Sequence, residues 1–412
     1  MECKEVVVVD AVRTPTGRSG WAGAAKGGVF SNTSAQVLLV AALRGLIDRV
    51  KEKAPGFDEV AVEDVAVGCL SQIGEQGLNI GRMGVLAADM PEEVAGWSCN
   101  RYCNAGLQAI NSQAHALMCG AGDIAIAAGV ENMSHYGMGS DLQAAIQAGM
   151  QVSLHPKAIE RAALHPMGVS AQLLADRYNL DRDDMDRFSL WSHQKAVREM
   201  RDEEWYRKRI VPVEIEGEGG EKVIVDKDEP PRQQALDDPD AALEKIRSLP
   251  PRFRDDGTVT AATSSAIVDG AAATMLMTAE KAEELGLEPM ARIVSTAVAG
   301  SEPLIMLLGP VPAMHKALDR AGLTMDDMDV FEPNEAFVPP VLAFCKEFGV
   351  EFDDPRINPT GGACAIGHPI GCTGVLYFTE MVHWMVRNDL KYGLQTLCGG
   401  GGVGIATVME RT

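Results

Sequence analysis

Excess positive charge, membrane-length apolar runs and metal-binding cysteine patterns are all missing from this sequence of 412 residues. Lys and Arg number 37 against 58 Asp and Glu, a net charge of −21. Such a field disfavours nucleic-acid backbones and anionic membrane surfaces, so neither is expected as a partner, and an anionic ligand must meet a local basic cluster. The apolar stretches are broken by polar residues well short of the roughly 18 needed to cross a bilayer, so no membrane span is expected. Met1-Glu2-Cys3-Lys4-Glu5 runs directly into VVVVDAVRT with no basic segment, small-residue cleavage site or Arg/Ser-rich presequence, and Glu410-Arg411-Thr412 carries no address. A cytoplasmic location is the expectation. The nine cysteines (3, 69, 99, 103, 119, 345, 364, 372 and 398) form an odd set in a chain large enough to need no staples, so they are expected as reduced thiols. Cys99 and Cys103 have no second Cys/His pair at ligand spacing, and no metal is expected.

What is present, 46% hydrophobic and 23% charged residues with 42 Gly and 21 Pro, is an ordinary globular composition of one large or two fused domains. A β-rich run at 5 to 12, an amphipathic helical stretch near 33 to 53 and the buried strand VEDVAVGCL suggest βαβ units around a parallel sheet. Residues 104 to 119 carry Leu107, Ile110, Ala114 and Leu117 on one helical face, and DIAIAAG at 123 to 129 reads as the next strand. The chain's end repeats this order. A helix from 371 turns between Arg387 and Gly393 and returns as LQTLCGGGGVGIATVM, read as one glycine-rich strand. Laying Cys103-Asn104-Ala105-Gly106-Leu107 on Gly371-Cys372-Thr373-Gly374-Val375 brings Gly129 within about two positions of Gly399, so the halves look duplicated. Residues 134 to 265 repeat nothing. A Met/Gln/His-rich segment, a charged helical stretch at 169 to 209 and a polar run from 214 to 256 read as an insertion from the first half.

Four places could carry chemistry. Cys103 stands where a strand gives way to a helix, so the helix end would favour its thiolate, and a buried inert thiol is the competing reading. His368 lies in the glycine-rich NPTGGACAIGHPIGCTG, either facing a ligand or stabilising a turn. Cys398 precedes four glycines, a run that weakens a strand unless something approaches it closely. Asn334 opens NEAF after FEP, and a helix N-cap is its alternative reading.

Seven ordered motifs together resemble the thiolase family over nearly the whole chain. They are VVDAVRTPTGR (8 to 18), NRYCNAGLQAI (100 to 110), AAGVENMS (127 to 134), GTVTAATSSAIVDGAAA (257 to 273), NEAF (334 to 337), GGACAIGHPIG (361 to 371) and LCGGGGVGIA (397 to 406). The resemblance implies a duplicated α/β fold, five-layered αβαβα, with an inserted loop domain. Its expected parts are an N-terminal half (1–133 plus 266–289), a CoA-covering loop domain (134–265) and a C-terminal half (290–412). It implies reversible thiolytic Claisen cleavage, transferring an acyl group between a 3-oxoacyl-CoA and CoA through an acyl-enzyme on Cys103. Cys398 would be the acid and base, His368 would activate Cys103, and His368 with an Asn334-held water would face one thioester oxygen. Backbone N–H groups of Cys103 and Gly400 would hold the tetrahedral oxyanion. Ser265 matches a pantetheine-contacting serine, Met167 and Met306 match acyl-pocket methionines, and Leu307 and Phe337 complete the expected substrate-binding set. Arg207-Lys208-Arg209 is a candidate for the CoA phosphates, with a solvated helix-end charge run as the competing and favoured reading. Coenzyme A is the implied co-substrate, with no permanently bound cofactor. A homodimer or homotetramer is implied, and a small partner subunit is a further partner expectation.

The sequence departs from the family's pattern at Asn104-Ala105 after the cysteine, Ala262-Thr263 before the pantetheine serine, Val268, and Leu307-Leu308. These departures suggest a bulky, branched or aromatic acyl chain. Two alternatives accompany the thiolase reading. A ketoacyl-synthase-type condensing enzyme would not use Cys398. A non-catalytic or partner-dependent acyl-CoA-binding subunit would be favoured by loss of Cys103, Asn334, His368 or Cys398, and all four are present.

Overall fold

The computed structural model describes residues 3–19, 27–162, 165–217 and 219–412. The chain opens with β1 (Val6–Arg13), a run of β-branched residues buried on both faces, and β2 (Gly17–Arg18). Helix α1 (Ala35–Lys53) starts where the Ser34 side chain accepts from the Gln36 N–H, and it turns Leu38, Leu39, Ala42, Leu43, Leu46, Ile47 and Val50 inward at helical spacing. Then come β3 (Asp64–Gly68), α2 (Ile80–Ala87), β4 (Ala95–Cys99), α3 (Ala105–Met118) and β5 (Ile124–Glu131). No strand of the main sheet is found among the described residues between β5 and 268. That stretch holds α4 (Ser140–Gln147), α5 (Pro156–Arg161), α6 (Met167–Arg177), α7 (Arg182–Arg201), α8 (Glu203–Arg207), the ribbon β6 (Val213–Glu216) and β7 (Lys222–Val225), α9 (Gln234–Asp237) and α10 (Pro239–Arg247). The remaining elements are β8 (Val268–Thr278), α11 (Ala279–Glu284), β9 (Ala291–Gly300), α12 (Pro310–Ala321), β10 (Val330–Pro333), α13 (Val338–Phe348), α14 (Thr373–Asn388), β11 (Tyr392–Gly399) and β12 (Val403–Glu410).

The strand order β10-β11-β12-β9-β1-β8-β5-β3-β4 contains the same unit twice. Parallel β3/β5 corresponds to parallel β10/β11, antiparallel β5/β8 to β11/β12, and antiparallel β8/β1 to β12/β9. The two units meet along a short β1/β9 seam, where Val7 and Val8 pair with Arg292 and Ala291. Helix α3 packs on β3, β5 and β8 of one unit and on β12 of the other, and α14 packs on β1, β5, β8, β10 and β11. These two helices form the central layer of a helix–sheet–helix–sheet–helix stack, with α1 and α2 outside one sheet and α12 outside the other.

Glycine lets the central helices start against each other. A Cβ on Gly374 would lie 2.0 Å from the Leu107 nitrogen, and one on Gly106 would lie 2.9 Å from the Gly371 carbonyl oxygen. Both contacts are with backbone, so neither neighbour can swing away.

Three expectations are corrected. The sheet is mixed, because β8, β9 and β12 return antiparallel beside strands joined by helical crossovers. The glycine run after Cys398 is a hairpin turn between β11 and β12, with Gly401 and Gly402 at positive φ, so the single strand is two. The charged stretch at 169 to 209 is three helices, interrupted by Asn179 at φ +46° and capped at Asp202, whose side chain accepts from the Trp205 N–H.

Candidate active site

Cys103 is buried at the turn that opens α3, packed with Met133 and Ile370 and flanked by Leu70, Met167 and Ile267. Tyr102 precedes it at φ +53°, a left-handed conformation that costs a bulky residue energy and so marks a constrained turn. Cys398 is buried near the end of β11, in a cluster that includes Met306, Leu307, Cys364 and Ala336. Met167 packs against both groups of residues. The Cys103 thiol is held well above the usual thiol range by burial, then by its proximity to Cys398 and Glu131. The expected thiolate is therefore corrected. Burial opposes the helix end and favours the protonated form of Cys103. Cys398 is pushed up by burial to about 12, with its own N–H lowering it slightly.

His368 and Asn334 share an uncommon property. The Nε2 of His368 and both side-chain polar atoms of Asn334 are buried with no partner among the described residues. A buried unpaired polar group costs about 1–3 kcal/mol, and such groups in a native site are ready for a ligand. Asn334 follows β10, where its N–H donates to the Thr396 carbonyl at 3.0 Å two residues before Cys398. Helix α13 starts only at Val338, so the N-cap reading of Asn334 falls away. His368 is pushed down to about 4 by burial, which makes it a neutral imidazole at physiological pH. Its Nδ1 lies 2.6 Å from the Thr373 hydroxyl, which also reaches the Pro369 carbonyl at 3.1 Å. A hydroxyl has one proton. Assigning that proton to the carbonyl makes Thr373 the acceptor of an Nδ1–H and leaves the Nε2 lone pair free.

Sequence reading missed Thr373 and Glu131. Glu131 is a fully buried carboxylate that accepts from the N–H groups of Leu70 (2.8 Å), Ser71 (3.0 Å) and Gly371 (2.9 Å) and from Gln76 Nε2 (3.0 Å). Burial raises its pKa against the pull of those donors. Its bonds tie the loop after β3 to the turn before α14, on either side of Cys103. The one available signal was sequence position, Thr373 five residues after His368 and Glu131 inside GVENMS.

Of the expected binding residues, Ser265 donates its N–H to the Ala336 carbonyl at 3.0 Å, next to Phe337, and Ala266 connects to Ala363 and His368. Phe337 meets the Phe253 ring edge-on, their centroids 5.8 Å apart. Gly400 lies in the hairpin against Tyr102, 3.2 Å from its ring measured from a built Cβ. In the cation cluster Arg207 and Lys208 follow the helix-end reading, and only Arg209 is corrected. Arg209 is buried and engaged with Glu199 at 2.9 Å and Glu380 at 2.9 Å, and Arg207 and Lys208 pair with Glu203 and Glu204. Arg209 belongs to a buried network with Arg13, Asp228 and Glu380 that fastens the inserted segment to β1 and α14. Among the described residues no cluster of three or more His, Cys, Asp or Glu side chains could hold a metal, and no helix is long and apolar enough to cross a membrane.

The sequence compares closely with proteins already described. The model of the thiolase N-terminal domain matches residues 6–280, and that of the thiolase C-terminal domain matches residues 287–411. The 3-ketoacyl-CoA thiolase of Idiomarina loihiensis is 42% identical over 411 residues, 99% of this chain and 100% of that protein. That of Acinetobacter baylyi is 42% identical over 411 residues, covering 99% and 98%. The crystal structure of the Bacillus anthracis acetyl-CoA acetyltransferase superposes over 100% of both chains with a TM-score of 0.85 and 33% identity.

Proposed function

The chain belongs to the thiolase family and is an acyltransferase of that type with CoA as co-substrate, and we propose that it cleaves 3-oxoacyl-CoAs with CoA through an acyl-enzyme on Cys103. The observation that carries the assignment of roles is the presence of two neighbouring buried thiols, both raised by burial, together with a neutral histidine whose Nε2 has no partner among the described residues. The names of the relatives support the substrate class.

In this reading His368 Nε2 takes the Cys103 proton as the sulfur attacks the 3-oxo carbon. The resulting imidazolium keeps the same Nδ1–H bond to Thr373, so no ring rearrangement accompanies the transfer. The oxyanion forms between the backbone N–H groups of Cys103 and Gly400. The bond between C2 and C3 then breaks, leaving the acyl group on Cys103 and an acetyl-CoA enolate. The Asn334 amide, through a water, and His368 stabilise the enolate oxygen, and the Cys398 thiol gives its proton to the enolate carbon. A thiol held near 12 is a weak acid, but the thiolate it leaves is a strong base, suited to taking the proton of the incoming CoA thiol. The CoA sulfur attacks the acyl carbon, and Cys103 recovers its proton from His368. Each cysteine thus ends as it began.

We further propose a bulky, branched or aromatic acyl chain, supported by the adaptable apolar side chains Met167, Met306 and Leu307 around the thiols. Other departures from the family pattern serve local packing. Val268 fills the space over Gly367, the Thr263 hydroxyl receives the Thr260 N–H, and Ala262 packs beside Leu190 and Ala235. We also propose a homo-oligomer, supported by the position of β4 at one end of the sheet, where its outer edge is open to a strand of a second copy. Steady-state thiolysis of a panel of 3-oxoacyl-CoAs tests both levels. Acetyl-CoA release from any member supports the reaction, and its absence from all members contradicts it. A kcat/KM for acetoacetyl-CoA equal to those of bulky members removes the chain-size proposal, because one methylene is worth only about 1–3 kcal/mol.

A further inference from the structure

Asn104 follows Cys103 and is fully buried at the N-cap of α3. An asparagine there ordinarily turns its side-chain oxygen onto the first free N–H groups of its own helix. This one makes no such bond. In the amide orientation that satisfies its surroundings, the nitrogen donates to the Leu397 carbonyl at 3.1 Å and the Cys398 carbonyl at 2.8 Å. A Cβ built on Gly399 would lie 3.2 Å from the other amide atom, the oxygen in this orientation, so the hairpin approaches this side chain closely. No other hydrogen bond among the described residues joins segment 101–106 to segment 396–402.

We propose that Asn104 is a positioning residue that holds the peptides flanking Cys398 and thereby sets the Cys398 thiol for proton transfer beside Cys103. One peptide unit carries the effect. The Leu397 carbonyl that accepts from Asn104 belongs to the same peptide as the Cys398 N–H, the group that pulls the Cys398 thiol down against burial. A donor on the carbonyl polarises the unit and strengthens the N–H toward a sulfur anion. Asn104 therefore supports the thiolate that Cys398 becomes after giving up its proton. It leaves the attack of Cys103 on a thioester largely untouched.

The inference rests on the proposed roles of the two cysteines, and two partial reactions separate it from them. Acetyl-CoA alone should acylate Cys103, read by intact mass. In deuterium oxide it should also exchange the protons of its methyl group, read by NMR, a step that needs Cys398. Asn104→Ala removes the donor without breaking a helix cap. It should slow exchange at least about tenfold, the loss of roughly one hydrogen bond, while acylation stays within about threefold. Asn104→Asp keeps the shape but donates only when its carboxyl is protonated, so its exchange should recover relative to wild type from about pH 8 to about pH 6. An equal fall in both reactions, or an unchanged ratio with no recovery in the Asp variant, overturns the proposal. Wild-type protein that neither acylates nor exchanges overturns the cysteine roles and this inference together.

Discussion

Thr373 Oγ1 lies 2.6 Å from Nδ1 of His368 and fixes which nitrogen of the imidazole is free. With the threonine proton donated to the Pro369 carbonyl, Nε2 is the basic nitrogen, buried and without a partner among the described residues. The account of catalysis follows from this bond together with the two thiols.

Thr373→Val should therefore leave a buried imidazole N–H without an acceptor, at about 1–3 kcal/mol, and free the ring to turn. Acylation of Cys103 should slow by about 10- to 100-fold, with a smaller loss in Thr373→Ser, which keeps the hydroxyl. Single-turnover acylation of the two variants checks this, and equal rates for valine and wild type would contradict it.

The pH dependence has a defined sign. Burial depresses His368 to about 4, so the neutral base persists through the range in which an exposed histidine, near 6.5, would gain its proton. The acid limb of kcat/KM should fall well below pH 6.5, over the range in which a melting curve shows the protein folded. An acid limb at or above about 6.5 would mean that His368 is not the base, or is solvated in solution.

Cys398→Ala should still take an acyl group from an acyl-CoA onto Cys103, while thiolysis of 3-oxoacyl-CoA falls by about 10²- to 10⁴-fold, the usual contribution of a positioned acid or base. Mass measurement of the first step and steady-state rates of the second distinguish this from general damage, which would depress both.

The helix crossing makes a prediction about stability alone. Gly374→Ala places a Cβ 2.0 Å from the Leu107 nitrogen and should cost at least about 3 kcal/mol. Gly106→Ala, with its nearest contact at 2.9 Å, should cost less, and Gly56→Ala, with nothing within 4 Å, should be nearly neutral. Thermal or denaturant unfolding of the three variants gives the order.

Much of this architecture can be read from local sequence, because it is carried by local signals. The match of Cys103 to Leu107 with Gly371 to Val375 brings out α3 and α14, and the strands after them are the equivalent β5 and β11. Periodicity could not reveal strand direction, which is decided by partners such as β8 and β1, some 260 residues apart. The hairpin at Gly399 to Gly402 was hidden because the same four glycines fit an approached strand or a turn.

The site was legible where a residue type states its chemistry. Cys103, His368 and Cys398 stand out by residue type and neighbours as places that could carry chemistry, and the roles expected of them come from the family resemblance. The supporting residues do not. Asn104 and Cys398 are nearly 300 positions apart, and their hydrogen bond exists only because two half-chains stack their central helices. Glu131 is legible only as part of a motif until its four donors are in place.

The central claim is that an acyl group passes through Cys103. Intact mass spectrometry of the protein with a panel of acyl-CoAs and 3-oxoacyl-CoAs, followed by free CoA, tests it most directly. The account predicts an adduct that maps to Cys103, vanishes on addition of CoA, is absent from Cys103→Ala, and has a mass that names the acyl chain. An adduct on another residue, or wild-type turnover by Cys103→Ala, would contradict it.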